Sequence, residues 1–193
     1  MRALQRRSAA QLFLPRQARS TTVLCVRSKD KVCMIADGQV TMGTVRAKGT
    51  GLKVRKITTG EHQVIVGFAG TAVDCLTLFD LLEEKVKAHP KLLSKACVEL
   101  ALQWRKDRTL QRLSANLIVA DHTCTLLVNG SGELIEPEGP VAGTGSGGNY
   151  AVAGARAILS VNPDADAETV CQAAMKVAAD MEWVFLPRAM RAS

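Results

Sequence analysis

The chain has 193 residues, 47% of them hydrophobic and 22% charged, which is the balance of a folded domain and excludes a disordered chain. No apolar run approaches the roughly 20 residues that cross a bilayer, which excludes a spanning helix. The formal charge of +7 points toward a polyanion partner, but residues 1–20 carry five arginines and no acid, leaving 20 basic against 18 acidic residues, a net +2, in the remainder. The stretch MRALQRRSAAQLFLPRQARS is Arg-rich and Ser-containing, with apolar residues scattered among the charges, the makeup of a mitochondrial transit peptide. Its longest apolar run, Leu12-Phe13-Leu14, is too short for the secretory h-region of about 7–15 residues. Residues 1–20 are therefore expected to be a removed leader directing the protein to the mitochondrial matrix, followed by one domain over 21–193. A basic arm that binds polyanions is the alternative.

From Thr21 the pattern turns to strands. TTVLCVRS and VCMIADG flank Lys29-Asp30-Lys31 as a hairpin, QVTMGT continues in extended form, and KGTG supplies a loop. LKVRKIT alternates apolar and basic residues, and QVIVGFAG is a further strand ending in glycine. Helical spacing follows over Thr71–His89, stopped by Pro90, and over Leu92 to about Arg108. Strands return in SANLIVAD, TCTLLVN, ELIEPEG and PVAGTG, then helices over Asn149–Leu159 and Ala167 to about Trp183, separated by Asn162-Pro163-Asp164. Hairpin-linked strands make antiparallel sheets, and each helix pair needs a sheet face to cover. The pattern predicts an α+β fold: a four-layer αββα sandwich of two antiparallel sheets with helices outside. Aromatics are only 4%, so its core must be aliphatic.

Six cysteines (Cys25, Cys33, Cys75, Cys97, Cys124, Cys171) sit among apolar neighbours with no C-x-x-C, and read as reduced core thiols in a reducing compartment. The three histidines (His62, His89, His122) are far apart and have no metal-ligand spacing. Arg46, Lys48, Lys53, Arg55 and Lys56 form a basic cluster without aromatics for base stacking, so they read as a solvated or subunit-facing patch rather than a nucleic-acid site. Gly143, Gly145 and Gly148 fit G-x-G-x-x-G, but no βαβ unit surrounds them, which argues against a dinucleotide. No G-x-x-x-x-G-K-[ST] occurs, so ATP hydrolysis would have to reside in another chain.

The sharpest site lies at the leader boundary. Arg19 stands two residues before Thr21, and cleavage after Ser20 would make Thr21 the new N-terminus. An N-terminal threonine carries its own base: the α-amine, with a reference pKa of about 7.7–8.0, takes the hydroxyl proton directly or through one water. Read from these residues alone, Thr-Thr before Val-Leu-Cys-Val is equally an ordinary strand start.

TTVLCVR, ADGQVTMG, KGTGLKVRK, GFAG and GTGSGG, in that order over about Thr21–Asp180, resemble the HslV (ClpQ) peptidase family, the bacterial and mitochondrial relatives of proteasome β-subunits. The resemblance implies an N-terminal-nucleophile sandwich and a threonine endopeptidase. It also implies two stacked hexameric rings, fed with unfolded polypeptide by a separate hexameric AAA+ ATPase, HslU, with no cofactor in the chemistry. Carried over, Thr21 is the nucleophile and its amine the base. Lys53 is the lysine that lowers the amine's pKa and steadies charge at the hydroxyl, and Asp37 is the acid that orients Lys53. Gly70, at a strand-to-helix junction, is an oxyanion-hole donor, and Ser146 is a proton-relay partner near the amine. Without the resemblance, Lys53 reads as a solvated strand residue, and Asp37 and Gly70 as turn residues. The family's Gly-Asp-x-Cys-x-x-Thr run, whose main-chain carbonyls bind a monovalent cation, corresponds here to residues 179–185. The carbonyls of Ala179, Glu182 and Phe185 are thus the candidate Na+ ligands. The tail FLPRAMRAS departs from the family's ending. Two other readings stand beside this one: a non-catalytic proteasome-like ring subunit, which would keep its N-terminus unprocessed, and a stand-alone small-molecule amidase of the same fold.

Overall fold

The computed structural model describes residues 21–42, 45–181 and 189–192. In chain order the strands are β1 (Thr22–Ser28), β2 (Lys31–Asp37), β3 (Val40–Met42), β4 (Val45–Lys48), β5 (Val54–Thr59) and β6 (His62–Gly70), followed by helices α1 (Ala72–Ala88) and α2 (Leu93–Lys106). Then come β7 (Ala115–Ala120), β8 (Thr125–Val128), β9 (Leu134–Ile135), β10 (Val141–Gly145), α3 (Gly148–Val161), α4 (Ala167–Met181) and β11 (Ala189–Ala192).

The strands form a four-stranded sheet in the order β10-β1-β2-β11, a five-stranded sheet β5-β6-β7-β8-β9, and a separate β3-β4 ribbon. Every strand pair among the described residues is antiparallel. The period-2 alternation explains the layering. On β1, Val23 and Cys25 face the five-stranded sheet, packing with Met34, Val54, Ile118 and Ala120. Leu24 and Val26 face the other way, against Val170, Cys171 and Ala174 of α4 and Ala151 and Ala155 of α3. On β7, Ile118 and Ala120 join the inter-sheet core, while Leu117 and Val119 pack under α1 and α2 with Leu78, Leu82, Leu100 and Trp104. Helices, sheet, sheet, helices: the four predicted layers are present. Because β1 and β7 are covered on both faces, they read as nearly continuous apolar runs.

Local chemistry sets the boundaries. The β1–β2 hairpin turns on Lys29-Asp30 alone, with Lys29 at φ +53. Thr71 caps α1, its hydroxyl accepting from the Asp74 amide at 3.4 Å. β8 starts at Thr125, two residues later than the apolar pattern predicts, because Asp121 Oδ1 accepts from the amides of Thr123 (2.7 Å) and Cys124 (2.9 Å) and folds them into a turn. Residues 45–47, which fall between the predicted extended stretch QVTMGT and the predicted loop KGTG, form β4 together with Lys48 and pair back on β3. The divergent tail contributes β11, which pairs with β2 in the register Ala189↔Asp37. All six cysteines are free. No helix among the described residues is long and apolar enough to cross a membrane.

Candidate active site

The start of β1, the end of β2, the loop before β5 and the end of β10 converge on Thr21. In β1's register Thr22 pairs with Gly145 and Val23 with Ala36, which brings the first residues of β1 beside Asp37 and the GTGSGG loop. Gly51 N–H donates to Gly38 O at 2.8 Å, drawing the loop 49–53 alongside Asp37. The Lys53 carbonyl accepts from Phe68 N–H at 2.9 Å, so the residue is anchored to β6 as well. Lys53 therefore points inward, where its ammonium lies 3.0 Å from Thr21 Oγ1 and 2.8 Å from Asp37 Oδ2.

Asp37 is the hub. Its side chain is 2% exposed and that of Lys53 12%. One oxygen accepts from the Thr22 amide (2.5 Å), the other from the Gln39 amide (2.8 Å) and Lys53. Two backbone donors and an ammonium hold the carboxylate in one orientation, and the carboxylate in turn fixes Lys53 against the Thr21 hydroxyl. A localised positive charge at that hydroxyl favours its deprotonated form and opposes protonation of any amine beside it.

The GTGSGG loop closes the other side. Ser146 N–H donates to Thr21 O at 2.8 Å, and Ser146 Oγ lies 3.3 Å from both Thr21 N and Thr21 O. Gly147 N–H donates to Thr22 Oγ1 at 3.1 Å. Gly145 has φ +90, and a Cβ there would fall 1.9 Å from Thr21 O, so only glycine allows this approach. The glycines that mimic a dinucleotide fingerprint belong to a loop gripping the main chain of Thr21 and Thr22. β10, which leads into it, runs antiparallel to β1 rather than as part of a parallel unit.

Gly70 ends β6 opposite Ala115, just before the α1 cap; a side chain there would strike Ser114 O at 2.3 Å. The basic cluster is not a single patch: Lys53 enters the site, Arg55 stacks over Phe79 with its guanidinium carbon 5.3 Å from the ring centroid, and Lys48 is exposed. Ala179 lies in the last turn of α4, where helix carbonyls lack intrahelical partners, as a cation ligand would require. The other two candidates, Glu182 and Phe185, lie outside the described residues, as does the expected leader over 1–20. Sequence reasoning missed Thr22, Gln39 and Gly145. Thr22 and Gln39 lie in the quoted motifs TTVLCVR and ADGQVTMG, but both hold Asp37 through their backbone amides, which side-chain chemistry does not reveal.

Two sheets stacked between helix pairs, with a threonine at the head of a central strand and a lysine–aspartate pair on its hydroxyl, define an N-terminal-nucleophile hydrolase. The profile of the proteasome subunit family matches residues 18–182. Over 160 residues, covering 82% of this chain and 84% of the relative, it is 53% identical to the ATP-dependent protease subunit HslV of Neorickettsia sennetsu. It is 50% identical over 161 residues to that of Rhizorhabdus wittichii, covering 83% and 86%. The crystal structure of eukaryotic HslV from Trypanosoma brucei superposes with a TM-score of 0.82 at 39% identity, covering 89% of this chain and 97% of that one. The chain belongs to the HslV group of the proteasome family.

Proposed function

We propose that this chain is the threonine-type endopeptidase subunit of a two-component ATP-dependent protease, with Thr21 as nucleophile. The observation that carries this reading is the Lys53 ammonium 3.0 Å from Thr21 Oγ1, held there by buried Asp37. As translated, Thr21 N is an amide bonded to Ser20 and has no basic lone pair; cleavage after Ser20 frees it as an amine. That amine accepts the hydroxyl proton, the oxygen attacks the scissile carbonyl, and Lys53 balances the charge that develops on the oxygen. The Gly70 main chain donates to the oxyanion. The amine then passes its proton to the departing peptide nitrogen, leaving an ester on Thr21 that water hydrolyses. Ser146 Oγ, 3.3 Å from Thr21 N, relays the proton.

The subunits work as an oligomer, two hexameric rings enclosing the sites, and a hexameric AAA+ unfoldase of the HslU type supplies unfolded polypeptide. In support, Val73 and Leu76, one turn apart on α1, are 73% and 40% exposed, an apolar stripe that a neighbouring subunit would cover. The leader directs the chain to the mitochondrial matrix, and Na+ on the carbonyls of Ala179, Glu182 and Phe185 fixes the end of α4.

The test combines intact-mass measurement with peptidase assays. Active protein should begin at Thr21, and Thr21→Ala should assemble normally yet hydrolyse nothing, with or without the ATPase. Activity in protein that retains residues 1–20, or in Thr21→Ala, would remove Thr21 from the chemistry. Assembled protein that is never processed and never active is the outcome of the non-catalytic reading.

A further inference from the structure

Sixty positions separate His62 from His122 in the sequence, and the linear spacing gives no hint of a metal site. Folding brings them together. β6 begins at His62, β7 ends at Ala120, and the two strands pair antiparallel with Ile65 opposite Ala120. His62 and the turn residues Asp121 and His122 therefore meet at one end of the five-stranded sheet. One ligating atom from each of the three lies within 4.8 Å of the other two. The His62 and His122 rings meet edge to face with centroids 5.6 Å apart.

The Asp121 carboxylate is divided unequally. Oδ1 accepts three hydrogen bonds, from Thr123 N, Thr123 Oγ1 and Cys124 N. Oδ2 accepts none among the described residues, although the side chain is 0% exposed; His62 Nε2 lies 3.5 Å from it. His62 is itself 2% exposed on its side chain, and its Nδ1 has no hydrogen-bond partner either. A buried, unsatisfied carboxylate oxygen facing an imidazole is costly unless something stands between them.

We propose that His62, Asp121 and His122 bind a divalent first-row transition ion, Zn2+ fitting best. Two imidazole nitrogens and one carboxylate oxygen are a zinc donor set, with a fourth position left for water. Ligand bonds of about 2.0–2.1 Å at tetrahedral angles put donor atoms about 3.4 Å apart, and the 3.5 Å between His62 Nε2 and Asp121 Oδ2 already matches. His122 is exposed, so its ring is free to close the remaining distance and leaves an entry path for the ion. Arg27 donates to the carbonyls of Asp121 (2.7 Å) and His122 (3.0 Å), holding the turn in place from β1. Its charge opposes a cation, so binding in the micromolar rather than the nanomolar range is expected. The site lies toward the far end of β1 from Thr21, six residues or about 20 Å of extended chain. The bound ion would tie the β5–β6 hairpin to the β7–β8 turn without touching the peptidase centre.

The test uses the assembled protein, stripped with chelator, desalted, and titrated with Zn2+ alone by calorimetry, with thermal unfolding followed in parallel. One Zn2+ per subunit should bind and raise the unfolding temperature, while Mg2+ does neither. His122→Ala, at an exposed position, leaves the fold undisturbed and should weaken Zn2+ binding about 100-fold or more, since even outer-shell changes cost roughly 10–100-fold. His62→Gln should do the same. Absence of saturable Zn2+ binding overturns the proposal, as does affinity unchanged in both histidine variants, which would put the ion elsewhere, on the thiols for instance.

Discussion

The ammonium of Lys53 is shared between Asp37 Oδ2 at 2.8 Å and Thr21 Oγ1 at 3.0 Å, so one buried carboxylate sets the position of the charge that the Thr21 hydroxyl meets. The carboxylate is anchored through both oxygens: Oδ1 accepts from the Thr22 amide, and Oδ2 from the Gln39 amide as well as from Lys53.

Removing Lys53 thus has two separable effects. Lys53→Ala takes the positive charge off the hydroxyl and should lower kcat by a factor of at least about 100–1,000, the loss seen when one transition-state donor is removed. It also leaves Asp37 buried and unpaired, which should destabilise the fold by about 3–5 kcal/mol. Asp37→Asn should lose much of the activity with Lys53 still present, because it removes the charge that holds the ammonium and its amide nitrogen must face a donor in either orientation, the Thr22 amide or those of Gln39 and Lys53. Peptide hydrolysis alongside urea unfolding separates the two effects. Wild-type kcat in Lys53→Ala would exclude the ammonium from the reaction.

Gly145 and Gly139 form a matched pair. Both have positive φ, +90 and +85, so alanine at either pays a similar backbone strain of roughly 1 kcal/mol. At Gly139 a Cβ meets nothing within 4 Å; at Gly145 it lands 1.9 Å from Thr21 O. Gly139→Ala should keep full activity with slightly reduced stability. Gly145→Ala should displace Thr21 and lose nearly all activity. Comparable kcat values for the two variants would show that the loop does not position Thr21.

How much of this was readable beforehand depends on the kind of contact. The four layers were legible from the element order, hairpin-linked strands followed twice by a helix pair, and the apolar runs Val23–Val26 and Leu117–Ala120 fit strands covered on both faces. Thr21, Asp37, Lys53 and Ser146 were legible through motifs, and the structure brings those four together. The inward turn of Lys53 was not legible from alternation alone, since its basic neighbours Arg55 and Lys56 follow the same chemistry toward an aromatic ring and the surface. The start of β8 was missed because a side chain, Asp121 Oδ1, captures two backbone amides that propensity assigns to a strand. The β3–β4 ribbon was missed because VRAK alternates over only four residues and runs straight into the Gly-rich stretch KGTG. His62 and His122 were read as scattered because their meeting depends on the register of β6 on β7.

The buried thiols predict alkaline sensitivity. Burial pushes Cys25 and Cys97 from an ordinary 9.0 up to about 12, with Cys124 and Asp121 adding to the rise at Cys97, and it pushes Cys75 up to about 11. Unfolded, these thiols lose their protons above pH 9; folded, they keep them. Their contribution to stability is therefore complete below pH 9 and is lost as pH rises toward 11–12. Each thiol costs about 1.4 kcal/mol per pH unit in that window. Urea midpoints should hold steady from neutrality to pH 9 and then fall, and Cys97→Ala should flatten the fall by about one proton's worth. A midpoint independent of pH up to 11 would mean that these thiols ionise normally in the fold.

Ser146 can be separated from the loop that carries it. Its amide fixes Thr21 O at 2.8 Å whatever the side chain, whereas its hydroxyl lies 3.3 Å from Thr21 N. Ser146→Ala should leave Thr21 in place, so KM for a short peptide should change little. The lost hydroxyl removes a path for the proton between the amine and the reacting groups, and kcat should fall by about 100-fold, the lower end for a positioned proton-transfer group. Ser146→Thr, which restores a hydroxyl, should recover part of the rate. A raised KM with kcat intact would assign Ser146 to substrate binding, and equal defects in the alanine and threonine variants would assign the effect to packing.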